Sequence, residues 1–425
     1  MTSTAHSPRP RPLSVALVSE HASPLAALGT VDAGGQNVHV ACLAGALADR
    51  GHRVAVYTRR DARELPDTTE LRPGVRVHHV PAGPPEPLPK DDLLPHMGAF
   101  GAWLRAEWRA RPPDVAHSHF WMSGVASLAA VGDLGVPLLH TYHALGSVKR
   151  RHLGAADTSP GQRIPCERDI GLRCDRVLAT CRDEVGELVR MGIPAGRADV
   201  VPCGVDPLRF RPDGPTARLG RRQPYRLLQL GRLVPRKGAA VSIAALTRLP
   251  DAELLIAGGP PAEHLEADPE ALRLRELARR AGVADRVRFL GGLCGEDVPA
   301  VLRSADVVLC PADYEPFGIV PLEAMACGRP VVASAVGGQL DTVVHGETGL
   351  LVPPGDAEAL ARAVSVLLAD PGLRAAYGAA ARRRALGRYG WDRVASATER
   401  SYLSVLADRP YAAASAARSR RPAPA

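Results

Sequence analysis

Lysine is nearly missing from this chain. Among 53 basic residues only Lys90, Lys149 and Lys237 are lysine, and the rest are arginine. A lysine kept against that bias is a candidate for a role that a planar guanidinium cannot fill. Aromatics make up 4% and do not interleave with arginine, which excludes a base-stacking nucleic-acid surface. No run approaches 18 apolar residues, so no membrane span is expected. Met1–Pro12 is polar and lacks the apolar core of a secretory signal, so a cytoplasmic protein is expected. The eight cysteines form no C-x-x-C pair and no zinc-finger spacing with histidine. Buried, reduced thiols are expected instead. The net charge of +8 sits largely at the ends, on Arg9, Arg11, Arg409, Arg418, Arg420 and Arg421. The body between them is close to neutral.

What is present is a globular chain of 425 residues, 46% apolar, long enough for two or three domains. Short apolar runs read as buried strands at Leu13–Ser19, Arg53–Thr58, Val75–Val80, Asp114–His117, Pro137–His140, Arg176–Ala179 and Ala198–Val201. After a turn-rich joint at Gly204–Pro207 a second series follows at Arg226–Leu230, Glu253–Ala257, Val287–Leu290, Val307–Cys310 and Pro330–Ala333. Helical patterns, including Gly238–Leu249 and Ile319–Ala326, separate them. Such alternation predicts two doubly wound parallel sheets, each Rossmann-like. The expected division is a disordered tail at 1–12, a first domain at 13–204, a second at 205–391, and a disordered tail at 409–425.

The usual nucleotide and hydrolase signatures are absent: no G-x-G-x-x-G, no P-loop, no G-x-S-x-G. No Asp-x-Asp pair is available to hold a divalent cation on a diphosphate. Four constellations remain. Gly34-Gly35-Gln36-Asn37 precedes a helix, where backbone N–H groups and the helix dipole favour an anion, although a plain turn has the same composition. Gly231-Arg232 with Arg236-Lys237-Gly238 lies between a strand and a helix and presents a guanidinium fork and an ammonium. Glu315 lies in a loop, and Glu323 lies on the helix that follows Phe317-Gly318-Ile319-Val320. The last constellation is His117-Ser118-His119-Phe120-Trp121 and His140-Thr141-Tyr142-His143, with Lys149-Arg150-Arg151 close behind.

Taken together these motifs resemble the retaining glycosyltransferases of family 4, from about Leu13 to Leu406. The most specific stretch is Glu315-Pro-Phe-Gly-Ile-Val-Pro-Leu-Glu323, supported by Gly231-Arg232 with Lys237 and by Val201-Pro-Cys-Gly-Val-Asp206. Within that family the glycine pair and the two histidine segments look like the branch of sucrose-phosphate synthases and D-inositol-3-phosphate glycosyltransferases. The resemblance implies the GT-B fold, with a C-terminal helix near 392–408 packing back on the first domain. It implies hexosyl transfer from a nucleotide-diphosphate sugar, UDP-linked, to a small polar acceptor, without cofactor or metal. By the same resemblance Arg232 and Lys237 hold the donor diphosphate, Glu323 the ribose and Glu315 the sugar hydroxyls. His140 sits beside the anomeric carbon. Gly34, Gly35, Phe317, Gly318, Ile319 and Val320 complete the donor site. Gln36, Asn37, His119, Thr141, Lys149 and Arg150 are the counterparts for the acceptor. Myo-inositol phosphate, fructose 6-phosphate and an aminocyclitol all fit as acceptor, and a GT-B epimerase or phosphorylase stays open. So does a homodimer.

Overall fold

The computed structural model describes residues 11–26, 34–293 and 295–408. The expected tail at 409–425, all but two residues of 1–12, and Cys294 lie outside the described residues. The first sheet has eight strands: β1 (Ser14–Val18), β2 (Arg53–Arg59), β3 (Thr68–Arg72), β4 (Val75–Val80), β5 (Val115–His119), β6 (Leu138–Thr141), β7 (Arg176–Ala179) and β8 (Ala198–Val200). Their order is β3-β4-β2-β1-β5-β6-β7-β8. The helices are α1 (Gly35–Asp49), α2 (Met97–Ala110), α3 (Trp121–Val131), α4 (Gly146–Leu153), α5 (Arg163–Arg173) and α6 (Arg182–Arg190). The second sheet contains β9 (Tyr225–Leu230), β10 (Ala252–Ala257), β11 (Val287–Gly291), β12 (Val307–Cys310), β13 (Val331–Ser334) and β14 (Gly349–Val352), ordered β11-β10-β9-β12-β13-β14. With it come α7 (Ala239–Leu246), α8 (Pro269–Arg280), α9 (Asp297–Ser304), α10 (Ile319–Ala326), α11 (Gln339–Thr342), α12 (Ala357–Ala369), α13 (Pro371–Tyr389) and α14 (Trp391–Asp408).

Central strands such as β10 and β12 are buried along their whole length, as parallel strands covered on both faces must be. Two strands depart from expectation. β3, Thr-Thr-Glu-Leu-Arg, pairs antiparallel to β4, so the first sheet is mixed rather than purely parallel. Its residues are exposed or half-buried, so no apolar pattern marks it. β14 is a four-residue edge strand, Gly-Leu-Leu-Val, buried at its two ends and half-buried between them. The expected helix at Gly238–Leu249 is shorter, because Gly238 is left-handed (φ 73°) and the helix begins after it.

Each sheet has one topological switch point, between β1 and β5 in the first and between β9 and β12 in the second. Ligands of open α/β sheets bind in the crevices beyond such strand ends. All four constellations of the sequence leave from or lie near these ends. Between the sheets the chain crosses twice, side by side. Val205 N–H donates to the Tyr389 carbonyl at 2.7 Å, and Gly204 lies against the Trp391 indole. The chain then returns as α14, whose Val394, Ala395, Tyr402 and Val405 share a core with Val40, Leu43 and Leu47 of α1. Glu399 of α14 binds Arg50 and, at 3.0 Å, His52.

Candidate active site

The two switch points face one another across a cavity of about 330 Å³. From the first sheet it is lined by His21, Gly34–Asn37, Lys90, Phe120 and His143. The second contributes Arg232, Arg236, Lys237, Glu315, Phe317, Ile319 and Val320. Gly35 lets the backbone of α1 approach the second domain, since a Cβ there would lie 3.0 Å from the Ile319 side chain. His143 and Phe317 meet across the gap, with ring centroids 5.1 Å apart.

On the second-domain side the loop after β9 makes a short turn at Pro235–Lys237 before α7. Gln229 donates its amide N–H to the Lys237 carbonyl at 2.7 Å, fixing the turn to the sheet. Lys237 Nζ donates to Glu315, with both side chains mostly shielded from solvent. Burial pushes the Glu315 carboxyl up, but Lys237, Arg236 and the Gly318 N–H outweigh it and hold it below the usual range. Glu323, on α10, goes the other way: burial, opposed by Arg209, pushes it up to about 8. At neutral pH it is a protonated acid able to donate as well as accept. Gly318 (φ 71°) starts α10, but neither it nor Glu323 lines the cavity.

On the first-domain side several expected residues lie elsewhere. His140 is fully buried, its Nδ1 2.8 Å from Ser118 Oγ and its Nε2 without a protein partner. It sits within β6 and does not line the cavity. His143 does. His119 stands behind it, with His119 Nδ1 2.9 Å from His143 Nε2. Burial first, then neighbouring histidines, lowers both rings well below the ordinary value, so both are neutral. Thr141 is buried and donates to the Leu178 carbonyl at 3.1 Å. His117 Nε2–H therefore donates to Thr141 Oγ1, which leaves Nδ1 to accept from Tyr402 of α14 at 2.9 Å. Lys149 is taken by Asp157 at 2.9 Å and Ser159 at 2.8 Å, and Arg150 is exposed on α4. Neither lines the cavity.

The first-domain lysine that does line it is Lys90, to which the sequence assigns no role. Lys90 Nζ stands 4.5 Å from the centroid of the Phe120 ring, and the Arg163 guanidinium lies 5.2 Å from the same ring. Burial, then Arg163, pushes the Lys90 ammonium down to about 8. Arg163 is itself fixed by Glu167 at 2.8 Å and the Ala144 carbonyl at 2.7 Å. Among the described residues only Phe120 (φ 76°) and His143 (φ 62°) hold a positive φ without being glycine. Both line the cavity, and strained backbone of this kind persists where surrounding structure over-determines it. The strain was not readable from residue type, because neither phenylalanine nor histidine announces a left-handed turn.

Among the described residues no group of three or more His, Cys, Asp and Glu side chains is placed to hold a metal ion. None of the described helices is long and apolar enough to cross a membrane.

The family model Glycosyltransferase Family 4 matches residues 33–209, and Glycosyl transferases group 1 matches residues 217–384. A D-inositol 3-phosphate glycosyltransferase of Acidothermus cellulolyticus is 41% identical over 420 residues, covering 95% of this chain and 92% of that one. One of Salinispora tropica is 41% identical over 410 residues, covering 91% and 84%. Among solved structures, sucrose-phosphate synthase from Thermosynechococcus elongatus superposes with a TM-score of 0.84 at 34% identity, over 93% of this chain and 99% of that one. Anabaena HepE in complex with UDP-glucose, at 21% identity, shares the fold with a TM-score of 0.70 over 92% and 100%. With two facing α/β domains and one cleft built from both, the chain belongs to the family 4 glycosyltransferases and is a glycosyltransferase of the GT-B fold.

Proposed function

We propose that this glycosyltransferase moves a hexosyl group, of glucose or N-acetylglucosamine type, from a UDP-linked sugar to a hydroxyl of a small, phosphate-bearing polar acceptor, with retention at the anomeric carbon. A cyclitol phosphate or a sugar phosphate is the acceptor class. The observation that carries this reading is the distribution of cations around one cavity. Arg232, Arg236 and Lys237 line its second-domain wall, while Lys90 lines the first-domain wall with Arg163 behind it. The first set suits the leaving diphosphate, on which negative charge develops as the C1–O bond breaks. The second suits an anionic group on the acceptor, because Lys90 lies over an aromatic face and forms no ion pair with a carboxylate among the described residues. Curated relatives named for D-inositol 3-phosphate support the same class.

In this reading Lys237 passes from Glu315 to the diphosphate when donor enters, and Glu315 is released to the sugar hydroxyls. Glu323 serves the ribose as donor or acceptor. His143, not His140, is the histidine that faces the reacting centre. Fixed cations and N–H groups take the role that a divalent metal plays elsewhere. A donor-by-acceptor turnover screen with product masses tests the proposal. Product from UDP-glucose or UDP-N-acetylglucosamine with D-inositol 3-phosphate or a hexose phosphate is expected, unchanged by a chelator. Turnover only with uncharged acceptors would overturn the acceptor class, and chelator-sensitive turnover restored by magnesium would overturn the metal-free account.

A further inference from the structure

The seam between the two domains holds a buried carboxyl group that the transfer reaction does not use. Glu184 lies in the first turn of α6, where a carboxylate ordinarily faces water and complements the helix dipole. Here it is only 4% exposed. Its Oε2 accepts from the Thr180 N–H at 2.7 Å and from the Thr180 hydroxyl at 2.6 Å. Its Oε1 is buried with no protein partner. The titratable groups facing it are Glu167 of α5, Asp183 beside it, Tyr142, Cys181, Cys203 and, from the second domain, Tyr314. None of these is a cation. Burial, aided by Glu167 and Asp183, outweighs the two Thr180 hydrogen bonds and pushes Glu184 up to about 7.

The Thr180 hydroxyl also reaches the second domain. Its Oγ1 is 3.3 Å from the Pro316 carbonyl, in the loop between β12 and α10 that carries Glu315. Glu315 and Pro316 both line the cavity, whereas Glu184 does not. Within the second domain the same loop is fixed by the Gly338 N–H, which donates to the Glu315 carbonyl at 2.8 Å. Thr180 therefore has one hydroxyl hydrogen and two acceptors for it. An ionised Glu184 accepts it in a charge-assisted bond, about twice as strong as a neutral one. A protonated Glu184 competes only as a neutral group and can itself donate to Thr180 Oγ1. The hydroxyl is then free to donate to the Pro316 carbonyl.

We propose, resting on the reading of the cavity as the donor site, that Glu184 is a positioning residue for the Glu315 loop, and that a proton on Glu184 latches this loop to the first domain through Thr180. Below about pH 7 the carboxyl group is protonated, the Thr180 hydroxyl holds Pro316, and Glu315 is set in place for the donor sugar. Above that pH the carboxylate draws the hydroxyl back and the loop loses its hold on the first domain. A loop already set in place loses less freedom when ligand enters, so donor binds more tightly on the acid side.

Calorimetric titration with UDP-glucose between about pH 6 and pH 8 tests this in the wild type, Glu184→Gln and Thr180→Val. A neutral amide at 184 cannot ionise and competes weakly for the hydroxyl, so Glu184→Gln should bind as the wild type does at pH 6. Across this range wild-type affinity should fall about three- to tenfold more than that of Glu184→Gln, the worth of one hydrogen bond. Any slope from other groups in the cleft is common to both. Thr180→Val should bind weakly at pH 6, as the wild type does at pH 8. A second readout needs no donor. Hydrogen exchange of the 313–318 segment, corrected for its intrinsic pH dependence, should show protection at pH 6 that is lost by pH 8 in the wild type and kept in Glu184→Gln. A wild-type slope retained in Glu184→Gln, or Thr180→Val binding as tightly as the wild type at pH 6, would overturn the latch. So would loop protection that does not change with Glu184. If UDP-glucose binds none of the three proteins while loop protection still follows Glu184, the latch stands and the donor-site reading fails.

Discussion

Lys237 and Lys90 stand on opposite walls of one cavity, and each makes a different prediction. Lys237 is held against Glu315, so its removal does two things. In the proposed reaction it strips the leaving diphosphate of a cation, and it leaves Glu315 without the neighbour that holds its carboxyl below the usual range. Lys237→Ala is expected to lower kcat by about 10²–10³-fold, comparable to losing one preorganised donor to a developing anion. Steady-state turnover checks it. Lys90 is different because it titrates near working pH. Its ammonium is displaced down to about 8, so the cationic form dominates below that pH and is lost above it. The KM for a phosphate-bearing acceptor should therefore rise as pH passes 8, while the donor KM does not follow. Lys90→Met should raise acceptor KM about tenfold or more at pH 7, the value of one charge-assisted hydrogen bond, and should flatten the pH dependence. The scarcity of lysine pointed to Lys237, which lines the cavity. It pointed equally to Lys149, which the fold spends on Asp157. Rarity singles out a residue, but it does not say what that residue touches.

At the scale of elements, the site depends on where strands stop and helices start. The β9–α7 connection presents Lys237 only because Gly238 adopts φ 73° beside the Pro311 carbonyl that follows β12. A Cβ at that position would collide with the carbonyl oxygen, and backbone cannot yield as a flexible side chain can. Gly238→Ala is therefore expected to displace the Arg232–Lys237 turn. Calorimetry should show weakened UDP binding, with the melting temperature falling as well. This connection was legible in sequence, because glycine and proline punctuate it and the apolar run before it is strong. The β6–α4 connection was not. Its text, His140-Thr141-Tyr142-His143, offers two histidines of equal claim. The sheet register decides between them: β6 keeps His140 inside, opposite Ser118, while His143 lies beyond the strand end with φ 62°. A strand shifted by one residue would have exchanged faces, and nothing local fixes that register.

At the scale of the molecule, the cleft exists because two separately wound sheets are held face to face. Several contacts bridge them besides the crossing chain. Thr180 Oγ1 lies 3.3 Å from the Pro316 carbonyl, the Arg182 N–H donates to Asp341 at 2.7 Å, and His152 stacks on Tyr314 at 5.4 Å. Helix α14 begins at the second crossing and ends on α1, with Tyr402 reaching His117 beneath the histidine layer. Removing Trp391–Asp408 would uncover the apolar face of α1 and orphan Arg50, His52 and His117. The truncated chain is expected to melt at lower temperature and to aggregate, whereas loss of the helix from a mere linker would leave thermal stability unchanged. Differential scanning calorimetry distinguishes the two.

Composition and pattern alone determined that this is a twice-wound α/β chain whose candidate site residues lie at strand ends. Apolar runs of four to six residues, alternating with amphipathic helices, have few other ways to bury their surface. The same text identified the second-domain half of the cavity, because that half is contiguous in sequence: Gly231 to Gly238, and Glu315 to Val320. Only the tertiary structure decided the other half. His21, Lys90, Phe120 and His143 come from four separate connections, and none carries a local signature of its neighbours. Their convergence is set by strand order and by the facing of two domains, quantities that arise from long-range packing and not from any window of the chain.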